Sequence, residues 1–173
     1  MAEAGGKERK IMVAVDESEE SSYALTWCLN NIVWNSSKDT IILLYAKPPR
    51  VVYTTLDGTA VSILASGYLF SPDMIATMER YSNEVAGTIM DKAKKIICSQ
   101  LGDNHEVKVE TRVENGDARE VITQMVEKLS VDLLVVGSHG YGAIKRAFLG
   151  SVSNHCAQSV KCPVLIAKMP KSK

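Results

Sequence analysis

The sequence lacks an excess of charge of either sign, and it lacks a long apolar run. Its 173 residues include 20 basic and 20 acidic side chains, which cancel. This balance gives no long-range field for nucleic acid or for an anionic membrane, so neither is expected as a partner. No apolar run approaches the roughly 18 residues of a membrane span, and the N-terminal MAEAGGKERK contains no apolar signal core. We therefore expect a cytoplasmic protein.

Cysteine is scarce, and no residue pattern typical of a metal or a catalytic centre is present. The four cysteines form no CxxC pair and lie within apolar or helical patterns, which favours buried, reduced thiols. His155 and Cys156 are adjacent in a helical pattern and point in different directions, so no metal site is predicted. His139 has no indicated nucleophile with an orienting carboxylate, so no catalytic residue is predicted.

Two common nucleotide-binding fingerprints are also missing. The dinucleotide fingerprint GxGxxG should follow the first strand, but that turn reads DESEES and contains no glycine. A Walker loop, GxxxxGK followed by Ser or Thr, is absent as well. These absences exclude the dinucleotide-binding and P-loop classes of nucleotide-binding protein.

Short apolar runs alternate with helical patterns along the chain. The runs that predict strands cover residues 10–16, 40–46, 107–113, 131–137 and 163–167, and those at 10–16 and 40–46 predict buried strands. Helical patterns occupy residues 21–34, a long stretch ending near Leu101 with Met78 on its core side, and segments beginning at Asp117 and Ser151. Parallel neighbours need crossover helices, so this order predicts one α/β domain over residues 1–173. It has an open five-stranded parallel sheet, helices on both faces, a core of about residues 9–169 and an irregular insertion at about 50–72.

The most informative pattern lies in residues 131–153. The apolar run VDLLVVG opens into a loop that contains Gly137 and Gly140, and Gly150 and Ser151 follow before the next helical pattern. Glycine lets backbone N–H groups approach a ligand closely, and a helix N-terminus attracts an anion. This segment therefore predicts a phosphate-binding site.

Two further strand ends are expected beside this loop. In open parallel sheets ligands bind outside the carboxyl ends of the strands, where Asp16, Ala46 and Gly137 all lie. Asp16 has a second interpretation, as a cap for the helix that begins near Glu19. Lys145 and Arg146 could neutralise phosphates, although loop cations of this kind are often only solvated.

The chain resembles the universal stress protein family, from VAVDES at Val13 through LLYA to VLIAK at the end. Gly137, two residues, Gly140, nine residues, then Gly150 and Ser151 is similar to the motif of the family's ATP-binding branch. The resemblance implies a Rossmann-like, adenine nucleotide α hydrolase-like fold with strand order 3-2-1-4-5. It also implies bound ATP or AMP, with Mg²⁺ possible beside ATP, and a homodimer through the last strand, Val164–Ala167, whose edge would otherwise be unpaired.

The resemblance further implies a role for each site residue. Asp16 and Val15 would hold the ribose and flank the adenine, and Ala46 would offer its backbone to the base edge. The residues that would line the ribose and phosphates are Gly137, Ser138, His139, Gly140, Gly150, Ser151, Val152 and Ser153. The implied function is a nucleotide-dependent stress-response or signalling module without turnover as its main role. A slow ATPase and a holdase-like chaperone stay open as alternatives.

Overall fold

The computed structural model describes residues 8–33, 38–49, 51–53, 60–62, 72–102, 106–139 and 149–170. Strands and helices alternate through most of this part of the chain. In order they are β1 Lys10–Ala14, α1 Glu19–Asn31, β2 Thr40–Lys47, β3 Val51–Tyr53, β4 Ala60–Ser62, α2 Pro72–Leu101, β5 Lys108–Asn115, α3 Ala118–Leu129, β6 Leu133–Gly137, α4 Ser151–Ser159 and β7 Val164–Ala167.

Five of these strands form one parallel sheet with the order β5-β2-β1-β6-β7. Numbered within the sheet alone, this order is 3-2-1-4-5, and every neighbouring pair is parallel. The predicted fold is therefore confirmed. The chain moves outward in one direction from β1 to β2 and β5, and in the other direction from β6 to β7. The point at which this direction reverses lies between β1 and β6.

The central strands are buried on both faces, as their unbroken apolar runs predicted. Successive residues of β1 alternate between two apolar clusters: Ile11 packs with α1 and α2, whereas Met12 packs with α3 and α4. All three residues from Ile11 to Val13 are fully buried. Burying a side chain of this size contributes roughly 1.5–3 kcal/mol, so the two layers of helices hold the strand ends in fixed positions.

The segment at residues 50–72, expected to be irregular, contains a short antiparallel pair of strands. Val51–Tyr53 pairs with Ala60–Ser62, and this pair is separate from the main sheet. Each strand has three residues, which is too short to show a period in the sequence. The available signals were the β-branched and aromatic residues VVY and the turn-forming dipeptide DG between the strands.

Helix α2 is longer than the sheet that it covers, and this corrects the prediction that Met78 faces the core. A helix of 30 residues is about 45 Å long, whereas the eight-residue strand β2 spans only about 27 Å. Burial in α2 begins at Ala86, and Met78 is exposed. The spacing was helical, but these first turns project past the carboxyl edge of the sheet. No helix among the described residues is long and apolar enough to cross a membrane.

Candidate functional site

The carboxyl ends of the central strands meet in one row at the point where the strand order reverses. Extended by two residues, the β1–β6 and β1–β2 registers place Val15 level with Gly137 and Asp16 level with Ala46. Gly137 pairs in turn with Ala167 of β7. The structure thus brings together the three strand ends that were expected to converge. Ligands of doubly wound α/β proteins bind at this position.

Asp16 organises the turn between β1 and α1. Its carboxylate accepts a hydrogen bond of 3.0 Å from the Ser18 N–H and a second, short one from the Ser18 hydroxyl. Ser18, not Asp16, is the N-cap of α1, because its Oγ accepts the Ser21 N–H at 3.1 Å. The cap interpretation of Asp16 is therefore wrong. A serine directly before two acidic residues, Glu19 and Glu20, was the signal for this cap.

The environment of this turn is acidic. Tyr45, near the end of β2, is almost fully buried, and burial raises the pKa of its phenol, assisted by the nearby carboxylates of Glu17 and Asp16. Glu19 and Glu20 add further negative charge to the first turn of α1. A group that donates hydrogen bonds, such as a hydroxyl, suits this side of the edge, whereas a phosphate is disfavoured there.

Gly137 is required by close packing at the end of β6. A Cβ atom built on Gly137 would lie 3.0 Å from the carbonyl carbon of Glu20 and 3.1 Å from its oxygen. It would also lie 3.2 Å from the carbonyl oxygen of His139. All three atoms belong to the backbone, so they cannot move aside easily. The absence of a side chain lets the first turn of α1 lie against the strand end.

Ser138 connects β6, β7 and α4 through its main chain. Its N–H donates to the Ala167 carbonyl at 2.9 Å, and its carbonyl accepts the Gly150 N–H at 2.7 Å and the Ser153 hydroxyl at 3.0 Å. Its own Oγ lies 3.2 Å from Nδ1 of His139. Ser138 and Ser153 are both 2% exposed. Two segments that are separated in sequence, after β6 and before α4, are thereby held together.

The N-cap residue of helix α4 is Gly150, which has no side chain to form a capping hydrogen bond. The Gly150 carbonyl accepts the Asn154 N–H at 2.9 Å, as in an ordinary first turn, but no side-chain cap is formed and the turn has no acidic residue. A Cβ on Gly150 would approach the Ser138 oxygen to 3.1 Å, so a capping residue such as serine would not fit without a shift. The N–H groups of this turn therefore remain suited to an external anion.

The other two helices whose N-caps the structure describes, α1 and α3, are capped by their own side chains. Ser18 caps α1, and Glu19 and Glu20 occupy its first turn. Asp117 caps α3 by accepting the Arg119 N–H, as predicted, and Glu120 follows. Since negative groups at a helix N-terminus satisfy its partial positive charge, an added phosphate has least competition at α4.

The residues predicted to contact phosphate differ in what they can offer. The Ser151 side chain is exposed at the start of α4. Val152 packs against the core, and the Ser153 hydroxyl is already bonded to the carbonyls of Ser138 and Gly150, so these two residues can offer only their backbone N–H groups. The predicted contacts at Gly140, Lys145 and Arg146 lie outside the described residues. Among the residues that are described, no group of three or more His, Cys, Asp or Glu side chains is placed to hold a metal ion.

Taken together, the strand order and the helices on both faces of the sheet define a doubly wound α/β protein. Residues 8–168 match the model of the universal stress protein family. The chain belongs to this family, as the sequence motif indicated.

Known proteins of the same family resemble the chain over most of its length. A universal stress protein A-like protein of Arabidopsis thaliana is 33% identical, over 95% of this chain and 92% of the relative. Universal stress protein PHOS32 of Arabidopsis thaliana is 29% identical over 95% of this chain. The chain spans 66% of the length of PHOS32 and 64% of that of the related PHOS34. A universal stress protein family protein of Arabidopsis thaliana, solved with AMP bound, is 25% identical with a TM-score of 0.61, over 94% of this chain and 92% of that one.

Proposed function

We propose that this chain binds an adenine nucleotide, ATP or AMP, at the carboxyl edge of its sheet. In this proposal the bound nucleotide sets the conformation or the partner affinity of a cytoplasmic stress-response or signalling module. The observation that carries the proposal is the N-terminus of α4 near the reversal point, where the N-cap is Gly150 and the first turn has neither a side-chain cap nor an acidic residue. The 25% identical family member with bound AMP supports the choice of an adenine nucleotide.

The charges of the site suggest the orientation of the nucleotide. The phosphates would lie at α4, against the N–H groups of Ser151, Val152 and Ser153, while the acidic turn after β1 would repel them. A ribose hydroxyl can donate to the Asp16 carboxylate, and the adenine would lie beside Val15 and Ala46. A phosphate at an exposed helix N-terminus gains only roughly 0.3–1 kcal/mol, so burial of the base must supply most of the affinity. Mg²⁺ would bind with ATP by neutralising its phosphates.

The test is calorimetry of ATP, AMP and adenosine with the wild type and with Ser151→Asp. Ser151 is exposed, so the new carboxylate adds no atom to a crowded space. An acidic residue in the first turn should stabilise α4 by roughly 0.3–1 kcal/mol. The same charge repels a phosphate at this helix, so we expect ATP and AMP to bind about tenfold or more weakly. Adenosine, which has no phosphate, should bind as before.

Gln158→Glu is the matched control, because it adds the same charge to an exposed position at the other end of α4. It should leave all three affinities unchanged. Unchanged ATP and AMP binding in Ser151→Asp would contradict the assignment of phosphate to α4. If mass spectrometry finds no nucleotide released on denaturation of the wild type, and neither ATP nor AMP binds, the whole proposal is wrong.

A slow ATPase is the alternative, and Asp16 is the residue that separates the two functions. Its carboxylate already accepts two hydrogen bonds from Ser18, which leaves it poorly suited to act as a base. Asp16→Asn keeps the acceptor for Ser18 and removes the charge. Loss of nucleotide affinity would favour the binding module, whereas unchanged affinity with loss of phosphate release would favour the enzyme.

A holdase-like role has one supporting observation. Met74, Met78 and Tyr81 lie on one stripe of α2, at i, i+4 and i+7, and are 51%, 43% and 69% exposed. Flexible methionine surfaces suit varied apolar clients. Replacing all three by serine should abolish suppression of client aggregation if this role is real, and should leave AMP binding intact.

We also propose a homodimer through Val164–Ala167. This strand is one end of the sheet and has no charged residue, and three of its four residues are only partly buried. The unpaired backbone groups of an uncharged edge strand are a template for pairing with another chain, and pairing with a second copy would cover them. Sedimentation at micromolar concentration should give a dimeric mass; a monomeric mass would rule the interface out.

A further inference from the structure

The outer edge of β5 is distinct from the proposed nucleotide site and from the β7 edge. Within the described part of the chain, β2 is the strand paired with β5, at one end of the sheet. The Lys108 N–H donates to the Asp39 carbonyl at 3.1 Å, and the Gly116 N–H donates to the Lys47 carbonyl at 2.9 Å. Even-numbered residues of β5 therefore bond to β2, because successive residues direct their N–H and C=O groups to opposite edges. Between Lys108 and Glu114, the residues that direct these groups outward are Val109, Thr111 and Val113.

The side chains of β5 divide into a charged face and an uncharged face. On one face, Glu110 forms ion pairs of 2.8 Å with Lys108 and 3.0 Å with Arg112. Glu114 follows on the same face by the period of two. The charge along this face therefore alternates in sign from Lys108 to Glu114. On the other face, Val113 is 40% exposed, which is unusual for a valine within a sheet.

We propose that β5 pairs antiparallel with β5 of a second copy of this chain, about a two-fold axis at Thr111. This register is self-complementary on both faces of the strand. The opposed residues are Lys108 with Glu114, Glu110 with Arg112, Val109 with Val113, and Thr111 with its own copy.

The hydrogen-bonding pattern of β5 fits this register. Antiparallel strands alternate between pairs that exchange main-chain hydrogen bonds and pairs that do not. The outward-directed residues, Val109, Thr111 and Val113, fall at the hydrogen-bonded pairs. The charged residues fall at the other pairs, where side chains are closer and opposite charges stabilise a sheet most effectively. Both requirements are met by one alignment of the two copies.

Neighbouring registers are opposed by charge. A shift of two residues in one direction places Lys108 opposite Arg112 and Glu110 opposite its own copy. A shift in the other direction places Glu110 opposite Glu114 and Arg112 opposite its own copy. Like charges directly opposite each other destabilise a strand pair. Within one copy the alternation pairs Glu110 with Lys108 and Arg112, and between two copies the same order selects the register.

The first test uses charge reversal and sedimentation at high micromolar concentration. In Lys108→Glu, the new glutamate faces Glu114 of the second copy. In Glu114→Lys, the new lysine faces Lys108 of the second copy. Because each variant repels its own copy, we expect self-association about tenfold weaker than in the wild type. An equimolar mixture of the two variants makes both contacts attractive again and should restore association. Association in the mixture that is no tighter than in either variant alone would overturn the proposal.

The second test is disulfide capture in a Cys98→Ser background, under a glutathione redox buffer. At a hydrogen-bonded pair on the two-fold axis, the Cα atoms of residue 111 are about 5.5 Å apart, within the range of a disulfide. Thr111→Cys should therefore form a covalent dimer. Val113→Cys is the matched control: it is exposed on the same face, but the two copies of residue 113 are about 14 Å apart along the strands.

These outcomes separate the β5 interface from the β7 interface. A dimer of unchanged strength in all charge variants would belong to β7 and would overturn pairing through β5. Equal cross-linking of Thr111→Cys and Val113→Cys would show random collision and would also overturn it. None of the substituted residues is among the proposed nucleotide contacts, so the proposal does not rest on the proposed nucleotide site.

Discussion

Replacing Gly137 by alanine tests whether close packing at the end of β6 fixes the candidate site. The added methyl group would lie 3.0 Å from the carbonyl carbon of Glu20 and 3.1 Å from its oxygen. These distances are tighter than nine in ten real Cβ contacts, and both atoms belong to the backbone of α1. The first turn of α1 must therefore move away from β6, or the strand end must bend.

The expected loss of stability follows from two opposing terms. Overpacking of a tight site costs roughly 1–3 kcal/mol, while replacing glycine restricts the unfolded chain and returns about 0.4–1 kcal/mol. Taken at the middle of both ranges, the net loss in the free energy of unfolding is about 1.3 kcal/mol. Gly87→Ala is the matched control, because nothing lies within 4 Å of its added Cβ and the residue is inside α2. It should gain roughly 0.5–1 kcal/mol through helix propensity alone.

Urea unfolding followed by circular dichroism measures both variants against the wild type. The midpoint should fall for Gly137→Ala and rise for Gly87→Ala, with similar slopes. If Gly137→Ala unfolds at the wild-type midpoint, the contact between β6 and α1 does not limit the position of the strand end. In that case the glycine would be required only by a ligand, and the packing explanation would be refuted.

Three further results are expected. Ser18→Ala removes the cap of α1 and should lower the free energy of unfolding by about 1 kcal/mol in urea. The hydrogen bond from the Arg119 guanidinium lowers the pKa of Asp117 to about 2, below the unfolded value of about 3.9. Asp117 thus adds stability above about pH 4 that is lost as the pH falls toward 2, so Asp117→Ala should flatten the acid limb of the urea midpoint. Cys98 is exposed and should react with a thiol reagent in the native protein. Cys28 is buried, and burial raises the pKa of its thiol to about 12, so it should react only on unfolding.

The five-stranded fold could be predicted because the sequence patterns of its strands and helices extend over many residues. Each strand of the main sheet is an apolar run or a continuous β pattern, and the helices between them have clear buried faces, such as Val121, Ile122, Met125 and Val126 on α3. The predictions that failed concern short segments of the chain. The pair formed by β3 and β4 is too short for periodicity. The exposure of Met78 depends on how far α2 extends past the sheet. Hydrophobic periodicity predicts which face of a helix is apolar, but it does not predict which turns of the helix lie over the sheet.

The candidate site could be predicted in its residues but less well in their roles. Gly137, Gly150 and the strand ends meet as the motif indicated, because parallel strands place their carboxyl ends at one edge. The roles of Asp16 and Ser18 depended on the geometry of a four-residue turn, in which one side chain positions another. Spacing alone does not separate a cap from a residue that orients the cap.

The glycines of the motif are explained by the fold itself, and this determines which variant can test nucleotide binding. A Cβ on Gly137 meets Glu20, and a Cβ on Gly150 meets Ser138, so both contacts are made within the chain itself. A glycine variant that loses nucleotide affinity would therefore not show that the glycine contacts phosphate. Ser151→Asp differs, because its effects on helix stability and on phosphate affinity have opposite signs. A protein that becomes more stable while it binds AMP more weakly, and binds adenosine as before, can be explained only by a phosphate at the N-terminus of α4.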